Sequence, residues 1–407
     1  MQTCRPYHYA VLLALWAITL SALQADGPPD VFEESFARTS ALIVPGRIMD
    51  RDVTCTLDTG ASTCVLDTRF AATLPNSVGT ERVGTSSGRI TVDRYEQISR
   101  SFMEFPQSTG PAVAIDLSDF SLATGMQIDA ILGMDCLKRL VFQVSNGTPR
   151  FRTAEDFRPD SNATSYSIKT TRGCPFIAVG LPTLGDRQFL IDTGHASYCG
   201  ITREYVSRLI RTNDAMLLEE IPTLDASGVQ KKNLYVIREI KVFGITMYDV
   251  PAEESDVNGL GLGLMRHLNF SIDFQNSVAY VLPPSRLRDS FDLDASGLRI
   301  VFQRGRGQTV RRIVPDSPAE KNKIHMGDQL LEIDGHIASE LSAWEIRKFL
   351  SQAGKTIPIK VKSGEQVRDI QLPLRRNFEY PPKWKPRSTQ ADDFQKFIES
   401  ESKAAPK

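Results

Sequence analysis

Apolar and polar residues alternate over short runs along residues 32–282, with turn residues between the runs. Gly88–Tyr95 and Asn233–Phe243 are two such runs. Alternation with a period of two predicts short β-strands that bury one face. Helical spacing is confined to brief segments, Thr202–Ile210 and Leu137–Leu140. The pattern therefore predicts a mostly β fold for this part of the chain.

A repeat lies within this β-rich part. Thr56–Cys64 and Leu190–Cys199 both contain Asp-Thr-Gly, and each is followed by a similar apolar segment, Ala130–Val144 in the first copy and Asn258–Ile272 in the second. Matched motifs at similar spacing indicate a duplicated domain. Residues 153–165 lack periodicity and are predicted to link the two halves.

The pattern changes after about residue 285. The strand-like runs Gly297–Phe302 and Val310–Val314 are followed by Ser317–Glu320, a capping box with proline at the first helical position. This combination predicts a short helix. A second capped helix is expected to begin at Ser342, and Ile357–Val361 is predicted to be a further strand. The C-terminal part is therefore expected to form a separate domain of strands and two helices.

The first residues carry an export pattern. Arg5 precedes an uninterrupted apolar stretch, Ala10–Leu23, and the small residue Ala25 stands before Asp26. This order is typical of a signal peptide, and the apolar stretch is shorter than a membrane span requires. We expect cleavage after Ala25 and an exported protein, periplasmic or secreted, with no membrane span after cleavage. An uncleaved N-terminal anchor is the alternative.

The charge balance gives no indication of a polyanionic partner. The chain has 48 Lys and Arg residues against 49 Asp and Glu residues, a net charge of −1. Neither nucleic acid nor an anionic membrane surface is therefore expected to bind. The predicted organisation, in chain order, is a signal peptide at 1–25, a first lobe at 32–152, a linker at 153–165, a second lobe at 166–284, a C-terminal domain at 286–375 and a flexible tail at 376–407.

Cysteine and histidine spacing does not predict a metal site. No CxxC pair occurs among the cysteines after Ala25, which are Cys55, Cys64, Cys136, Cys174 and Cys199. No HExxH spacing occurs among the histidines after Ala25, which are His195, His267, His325 and His336. We therefore expect neither metal nor cofactor. The cysteines are interpreted as buried small apolar residues, with room for one disulfide, and their odd number leaves at least one thiol free.

The paired Asp-Thr-Gly motifs carry the candidate chemistry. An apolar residue precedes each aspartate, Asp58 and Asp192, as expected for a buried strand that delivers a carboxylate to a turn. If the two turns meet across a pseudo-two-fold axis, the carboxylates cannot both ionise at low cost, and they share a proton. Such a pair titrates with two macroscopic pKa values that belong to the pair. The residues expected at the site are Asp58, Thr59, Gly60, Asp192, Thr193 and Gly194.

The Asp-Thr-Gly loops, followed by Ile131–Gly133 and a short helix, resemble those of the retropepsin-like aspartic proteases. The resemblance implies a bilobal acid-protease fold, in which each lobe supplies one catalytic aspartate and a water molecule attacks the peptide bond. It also implies hairpin flaps near Val83–Thr91 and Asp225–Gln230. The second copy departs from the family pattern, because His195 stands where the family usually has Ala or Ser, and Gly263 stands where the first copy has Asp135.

Residues 286–375 resemble a bacterial-type PDZ domain, a small β-barrel with two helices. The motifs that carry the resemblance are Ser296–Ile300, Val314–Glu320 and Gly327–Gly335. The resemblance implies that a peptide C-terminus adds as a strand while backbone NH groups hold its carboxylate. The implied peptide-binding residues are Gly297, Leu298, Arg299 and Ile300. A PDZ domain that only packs on the preceding lobes is the alternative.

Two competing motifs fit poorly. Gly84–Gly88 matches GxSxG, but a strand-like run follows it where a nucleophile elbow needs a helix. Gly259–Gly263 lacks the GxGxxG spacing of a dinucleotide site. The sequence therefore predicts an exported aspartic endopeptidase with a peptide-binding PDZ domain. The alternative is a non-catalytic peptide-binding scaffold that retains the protease fold.

Overall fold

The computed structural model describes residues 40–376, except 76, 86–87, 125, 226–227, 283–290, 292, 304–306 and 342. The predicted signal peptide and almost all of the predicted tail lie outside the described residues. Within the described part, no helix is long and apolar enough to cross a bilayer.

The first lobe is a seven-stranded sheet with short helices at its edges. The strands are β1 (Ile43–Ile48), β2 (Arg51–Leu57), β3 (Cys64–Asp67), β4 (Gly79–Thr85), β5 (Gly88–Phe102), β6 (Ser108–Ile115), β7 (Ala130–Leu132), β8 (Leu140–Ser145) and β9 (Thr148–Thr153). In the sheet they run in the order β1-β2-β7-β3-β6-β5-β4, and two further strands, β8 and β9, follow it in the chain. The helices are α1 (Thr68–Ala71), α2 (Ser118–Thr124) and α3 (Met134–Leu137).

The second lobe repeats this arrangement. Its strands are β10 (Thr164–Ser167), β11 (Lys169–Thr171), β12 (Cys174–Leu181), β13 (Gly185–Asp192), β14 (Cys199–Ile201), β15 (Ala215–Asp225), β16 (Gly228–Val242), β17 (Ile245–Glu254), β18 (Gly259–Gly261), β19 (Asn269–Asp273) and β20 (Val278–Leu282). Its helices are α4 (Arg203–Arg211) and α5 (Leu262–Met265). The order β12-β13-β18-β14-β17-β16-β15 matches the first lobe strand for strand, with β11 added at one edge. The duplication predicted from the motifs is therefore present in the topology.

A five-stranded sheet joins the two lobes, in the order β10-β20-β19-β8-β9. Its central pair, β19 and β8, is antiparallel and brings Phe270 opposite Val144. Phe142 is fully buried and packs edge-on against Phe270, with ring centroids 5.8 Å apart. Buried side chains of both lobes belong to one hydrophobic core. Because apolar burial is the main stabilising term, the two lobes are expected to fold as one unit.

The C-terminal domain has its own sheet and its own core. Its strands are β21 (Leu298–Gln303), β22 (Gly307–Ile313), β23 (Gln329–Ile333), β24 (His336–Ile337), β25 (Thr356–Ser363) and β26 (Gln366–Pro373), and its helices are α6 (Pro318–Lys321) and α7 (Ala343–Leu350). The predicted cap of α6 is present, since Ser317 Oγ accepts a hydrogen bond from the Glu320 NH at 3.3 Å. The mostly β fold class is confirmed.

Two local expectations need adjustment. The helix predicted at Leu137–Leu140 is instead Met134–Leu137, and Leu140 begins β8. The helix begins early because Gly133, in an extended conformation, serves as its N-cap, and Leu140 pairs with Thr153 in the sheet that joins the lobes. The strand β10 begins at Thr164, one residue before the predicted end of the linker.

A buried ion pair holds several segments of the first lobe together. Arg100 is 2% exposed and pairs with Asp135 at the start of α3. Its guanidinium also donates to the carbonyl oxygens of Gly110 and Pro111, at 3.2 and 3.0 Å. Asp135 in turn accepts a hydrogen bond from the Cys64 NH at 3.2 Å. The pair thus connects β3, β5, β6 and α3 next to the first Asp-Thr-Gly loop.

We predict that Arg100→Ala strongly destabilises the protein, because it leaves the Asp135 carboxylate without its buried counter-ion. Breaking a buried pair from one side costs about 3–5 kcal/mol. The matched control is Arg208→Ala, which removes a pair with Glu204 on an exposed helix face and costs about 0.5 kcal/mol or less. Denaturant unfolding of both variants measures the difference. Equal effects would show that the buried pair does not brace the lobe.

Candidate active site

Asp58 follows the last residue of β2 and is held by the backbone of its own loop. Its NH donates to the carbonyl oxygen of Leu132 at 3.0 Å. Its carboxylate oxygen Oδ1 accepts hydrogen bonds from the NH groups of Gly60 at 2.7 Å and Ala61 at 3.3 Å. The turn therefore fixes the direction of the carboxylate.

Asp192 is the last residue of β13 and occupies the equivalent place in the second lobe. Its Oδ1 accepts a hydrogen bond from the Gly194 NH at 3.0 Å. The strand β13 runs parallel to β18, with Asp192 opposite Gly261, as β2 runs parallel to β7 in the first lobe. The repeated topology thus places the two carboxylates at equivalent positions of the two lobes.

Two buried threonines tie the loops together. The Thr59 NH donates to Thr193 Oγ1 at 2.9 Å, and the Thr193 NH donates to Thr59 Oγ1 at 3.0 Å. Each hydroxyl then donates across the lobes, from Thr59 to the carbonyl oxygen of Ile191 at 2.6 Å and from Thr193 to that of Leu57 at 2.9 Å. Each threonine therefore bonds the backbone of the opposite lobe.

The glycines of both motifs lie against the carboxylate of the other lobe. A Cβ atom at Gly60 would lie 2.7 Å from Asp192 Cγ, and a Cβ atom at Gly194 would overlap the Asp58 carboxylate. Only glycine permits this approach of backbone to carboxylate. The structure therefore brings together all six residues predicted at the site.

The surroundings of Asp58 favour its protonated form. Burial, followed by the like charge of Asp192, raises the pKa of Asp58 to about 8, although the NH groups of Gly60 and Ala61 act in the opposite direction. Two carboxyl groups this close retain one proton between them over a wide pH range. The site can therefore present one acid and one base to the same small molecule.

His195 is paired with a carboxylate that sequence reasoning did not identify. His195 Nε2 lies 3.7 Å from Glu253 Oε2, at the end of β17. Burial lowers the pKa of His195, but the hydrogen bond and charge of Glu253 and the charge of Asp192 raise it above its ordinary value overall. Glu253 follows an apolar run on its strand, and only the pairing of β17 with β14 places it beside the loop.

Gly263 leaves no room for the acidic side chain found in the first lobe. A Cβ atom there would lie 2.8 Å from the carbonyl oxygen of Ser197, whereas Asp135 in the first lobe hydrogen-bonds the chain after its own Asp-Thr-Gly motif. The departure from the family pattern therefore changes what supports the second loop. The positions of Asp192, Thr193 and Gly194 are nevertheless equivalent to those of the first lobe.

Hairpins stand at both positions where flaps were expected. The strands β4 and β5 pair down to Thr85 and Gly88, and β15 and β16 pair down to Asp225 and Gly228. The two tip residues of each hairpin lie outside the described residues. Because β5 directly follows Gly84–Gly88, the GxSxG motif has a strand where a nucleophile elbow needs a helix.

The predicted peptide-binding loop of the C-terminal domain has an internal acceptor. The Asp294 carboxylate accepts hydrogen bonds from the NH groups of Ser296 at 3.1 Å and Gly297 at 2.8 Å. The Leu298 NH donates to Ser296 Oγ at 2.9 Å. Arg299 on β21 donates to Asp294 at 2.8 Å and also pairs with Glu219 on β15 of the second lobe. An incoming carboxylate would therefore have to replace Asp294 at these NH groups.

The cysteines and histidines do not gather into a metal site in the described part of the chain. All five cysteines of the described part are unpaired, and four are buried while Cys136 is half-buried. Cys174 lies closest to the carboxylates, with its thiol 3.4 Å from the carbonyl oxygen of Gly60. Burial, with the charges of Asp58 and Asp192, raises the pKa of Cys174 to about 12, so its thiol stays protonated and poorly nucleophilic.

Comparison with known proteins agrees with the geometry. Residues 44–136 match the sequence model of the family described as aspartyl protease, and residues 292–362 match that of the PDZ domain. No curated protein matches the chain. The chain therefore joins a retropepsin-like aspartyl protease domain, followed by a second lobe of the same topology, to a PDZ domain.

Proposed function

We propose that the protein is an exported aspartic endopeptidase, in which Asp58 and Asp192 activate a water molecule against a peptide bond and the PDZ domain captures polypeptide. The observation that carries the proposal is the meeting of the two loops. Each glycine lies against the opposite carboxylate, and each threonine hydrogen-bonds the opposite lobe. Two buried carboxylates repel each other, and an arrangement that nevertheless keeps two carboxyl groups together is typical of an acid–base pair that shares one proton.

The chemistry follows from the shared proton. The ionised carboxylate takes a proton from a water molecule held between the two groups, while the protonated carboxyl group donates to the carbonyl oxygen of the peptide. The water oxygen bonds to the carbonyl carbon and gives a tetrahedral diol. The carboxyl group that took the water proton then transfers it to the leaving nitrogen, and the other carboxylate takes a proton from a diol hydroxyl as the C–N bond breaks, so the pair again holds one proton. No covalent intermediate with the protein forms.

The PDZ domain is proposed to bind peptide C-termini along β21. This strand lies at the edge of its sheet and pairs only with β22 among the described strands, and a peptide would add to it as a further strand, next to α2 of the first lobe. Gly297, Leu298, Arg299 and Ile300 lie at the start of this edge. The contact between Arg299 and Glu219 places the edge next to the second-lobe hairpin, and a captured polypeptide would be held near the catalytic lobes.

We predict that one chain contains one complete active site. Asp58→Asn and Asp192→Asn each remove half of the pair and should each lower kcat/KM on a peptide substrate by several orders of magnitude. The control Asp52→Asn changes a 94% exposed carboxylate on β2, the strand that precedes Asp58, and should leave activity unchanged. Assay of both inactive variants together checks the single-chain arrangement, since recovered activity would mean that lobes pair between chains.

Stability is predicted to fall as pH rises from about 4 to about 8, because Asp58 keeps its proton in the folded state over this range and loses it when unfolded. The native state binds more protons there, so deprotonation with rising pH favours unfolding. Asp58→Asn removes the titrating group and should flatten the profile. Thermal unfolding of both proteins across this range measures the difference, and parallel profiles would contradict the raised pKa. Peptide hydrolysis should also decline above about pH 8.

We predict that the PDZ domain distinguishes a free C-terminus from a blocked one. A labelled peptide with an apolar, free C-terminal residue should bind the full chain. The same peptide with a C-terminal amide should bind at least about tenfold more weakly, since it loses a charge-assisted contact. Fluorescence anisotropy with Asp58→Asn protein avoids cleavage during the measurement. Equal affinities would show that the domain does not recognise the terminal carboxylate. That result would favour the alternative in which the PDZ domain only packs on the preceding lobes.

A further inference from the structure

The PDZ domain is docked on the second-lobe hairpin, which consists of β15 and β16. Arg299 on β21 pairs with Glu219 on β15. Arg312, which lies opposite Arg299 in the pairing of β21 with β22, donates to the carbonyl oxygen of Glu220. Two neighbouring strands of the PDZ domain thus hold two successive residues of the hairpin.

The contact with the hairpin continues to the loop that precedes β21. Arg299 pairs with Glu219 through Nη2 and donates to Asp294 through Nη1, at 2.8 Å. The Asp294 carboxylate accepts hydrogen bonds from the NH groups of Ser296 and Gly297, at 3.1 and 2.8 Å. One continuous series of contacts therefore leads from the hairpin to the NH groups that a peptide carboxylate would need.

The segment that enters the PDZ domain is also packed on the second lobe. Phe291 packs edge-on against Tyr198, with ring centroids 5.1 Å apart. Leu293 is buried with Val236 of β16, in a small cluster separate from the main core. Asp294 follows directly in the chain. The carboxylate that occupies the loop is therefore held both by Arg299 and by a segment fixed to the hairpin.

Asp294 is a ligand that another carboxylate can replace. Its side chain is 16% exposed, and burial raises its pKa although the hydrogen bonds of Ser296 and Gly297 act in the opposite direction. At the other end of the series, Glu219 Oε2 is buried and accepts no hydrogen bond from any described residue. Buried charges add little net stability unless their hydrogen-bonding positions are satisfied. The docked arrangement is therefore easily displaced.

The catalytic lobes also border the space beside β21. The helix α2 of the first lobe lies next to β21 and next to β15. A peptide that pairs with β21 lies about 4.8 Å from that strand. It therefore enters close to α2 and β15, and it gains room when the PDZ domain moves away from the hairpin.

We propose that Asp294 is an internal ligand of the PDZ carboxylate loop, and that a peptide C-terminus which replaces it releases the second-lobe hairpin from the PDZ domain. The proposal rests on the proposed binding of peptide C-termini and adds its regulation, since the hairpin is freed once polypeptide has been captured. Docking keeps Asp294 in the loop, whereas the ligand requires Asp294 to leave it. Because such coupling is reciprocal, a change that loosens the docked hairpin raises the affinity for the ligand.

Hydrogen exchange of the full-length Asp58→Asn protein tests the release. The ligand is the peptide with an apolar, free C-terminal residue, and the same peptide with a C-terminal amide is its matched control. We expect the free peptide to speed exchange in β15 and β16 by about fivefold or more, while β4 and β5 of the first-lobe hairpin stay unchanged. The amidated peptide at the same concentration should have a much smaller effect.

Two neighbouring substitutions, made in the same protein, separate the docking contact from a simple loss of charge. Glu219→Gln removes the carboxylate that pairs with Arg299. It should raise the affinity for the free peptide about fivefold or more, measured by fluorescence anisotropy, and should speed exchange of the hairpin before ligand is added. Glu220→Gln removes the same charge from the next position, where the side chain is 53% exposed and pairs with Lys231 at 3.2 Å. This control keeps the backbone carbonyl that Arg312 contacts and should behave like the parent protein.

The outcomes separate the coupling from the function on which it rests. If neither peptide binds any form of the protein, peptide binding by the PDZ domain is wrong, and the coupling is wrong with it. Binding of the free peptide without faster exchange of the hairpin would refute the coupling alone. So would an unchanged affinity in Glu219→Gln, or an equal rise in Glu220→Gln. None of these measurements depends on peptidase activity.

Discussion

The reciprocal hydrogen bonds between Thr59 and Thr193 are the constraint on which the arrangement of the two lobes depends. Each backbone NH reaches the other hydroxyl, and each hydroxyl reaches the opposite strand. Since both side chains are almost fully buried, loss of either partner would leave polar groups without water or protein to bond. The two loops must therefore meet in one register, and that register sets the distance between Asp58 and Asp192.

Much of the fold could be predicted from the sequence, because the patterns that specify it lie within short segments or occur twice in the chain. Alternation of apolar residues predicted the strands, and the second Asp-Thr-Gly motif predicted the duplication. The helix at Arg203–Arg211 was also predicted, since its apolar residues have helical spacing. The helix after Gly133 was placed one turn late, because its start depends on the extended conformation of Gly133 and on the pairing of Leu140 with Thr153. Neither is visible in a local pattern.

The candidate site was predicted in its residues but not in its contacts. The motifs named Asp58 and Asp192, yet nothing local showed that Thr59 bonds the other lobe, because that contact exists only when the lobes meet. Arg100 lies among alternating residues on β5 and gave no signal of the buried pair with Asp135. Glu253 was missed for the same reason, since the pairing of β17 with β14, rather than a sequence neighbour, brings it to His195.

Duplication within one chain allows the two lobes to carry different residues at equivalent positions, which a symmetric homodimer cannot do. In a homodimer with one aspartate from each chain, every residue of the cleft occurs twice, so both walls carry the same side chains. Here the two loops are encoded separately, and the hydrogen bonds of Thr59 and Thr193 preserve the symmetry only where the carboxylates meet. One step further out, Ala61 and Asp135 of the first lobe correspond to His195 and Gly263 of the second. The pairing of the two carboxylates is thus kept while the residues that support the two loops differ.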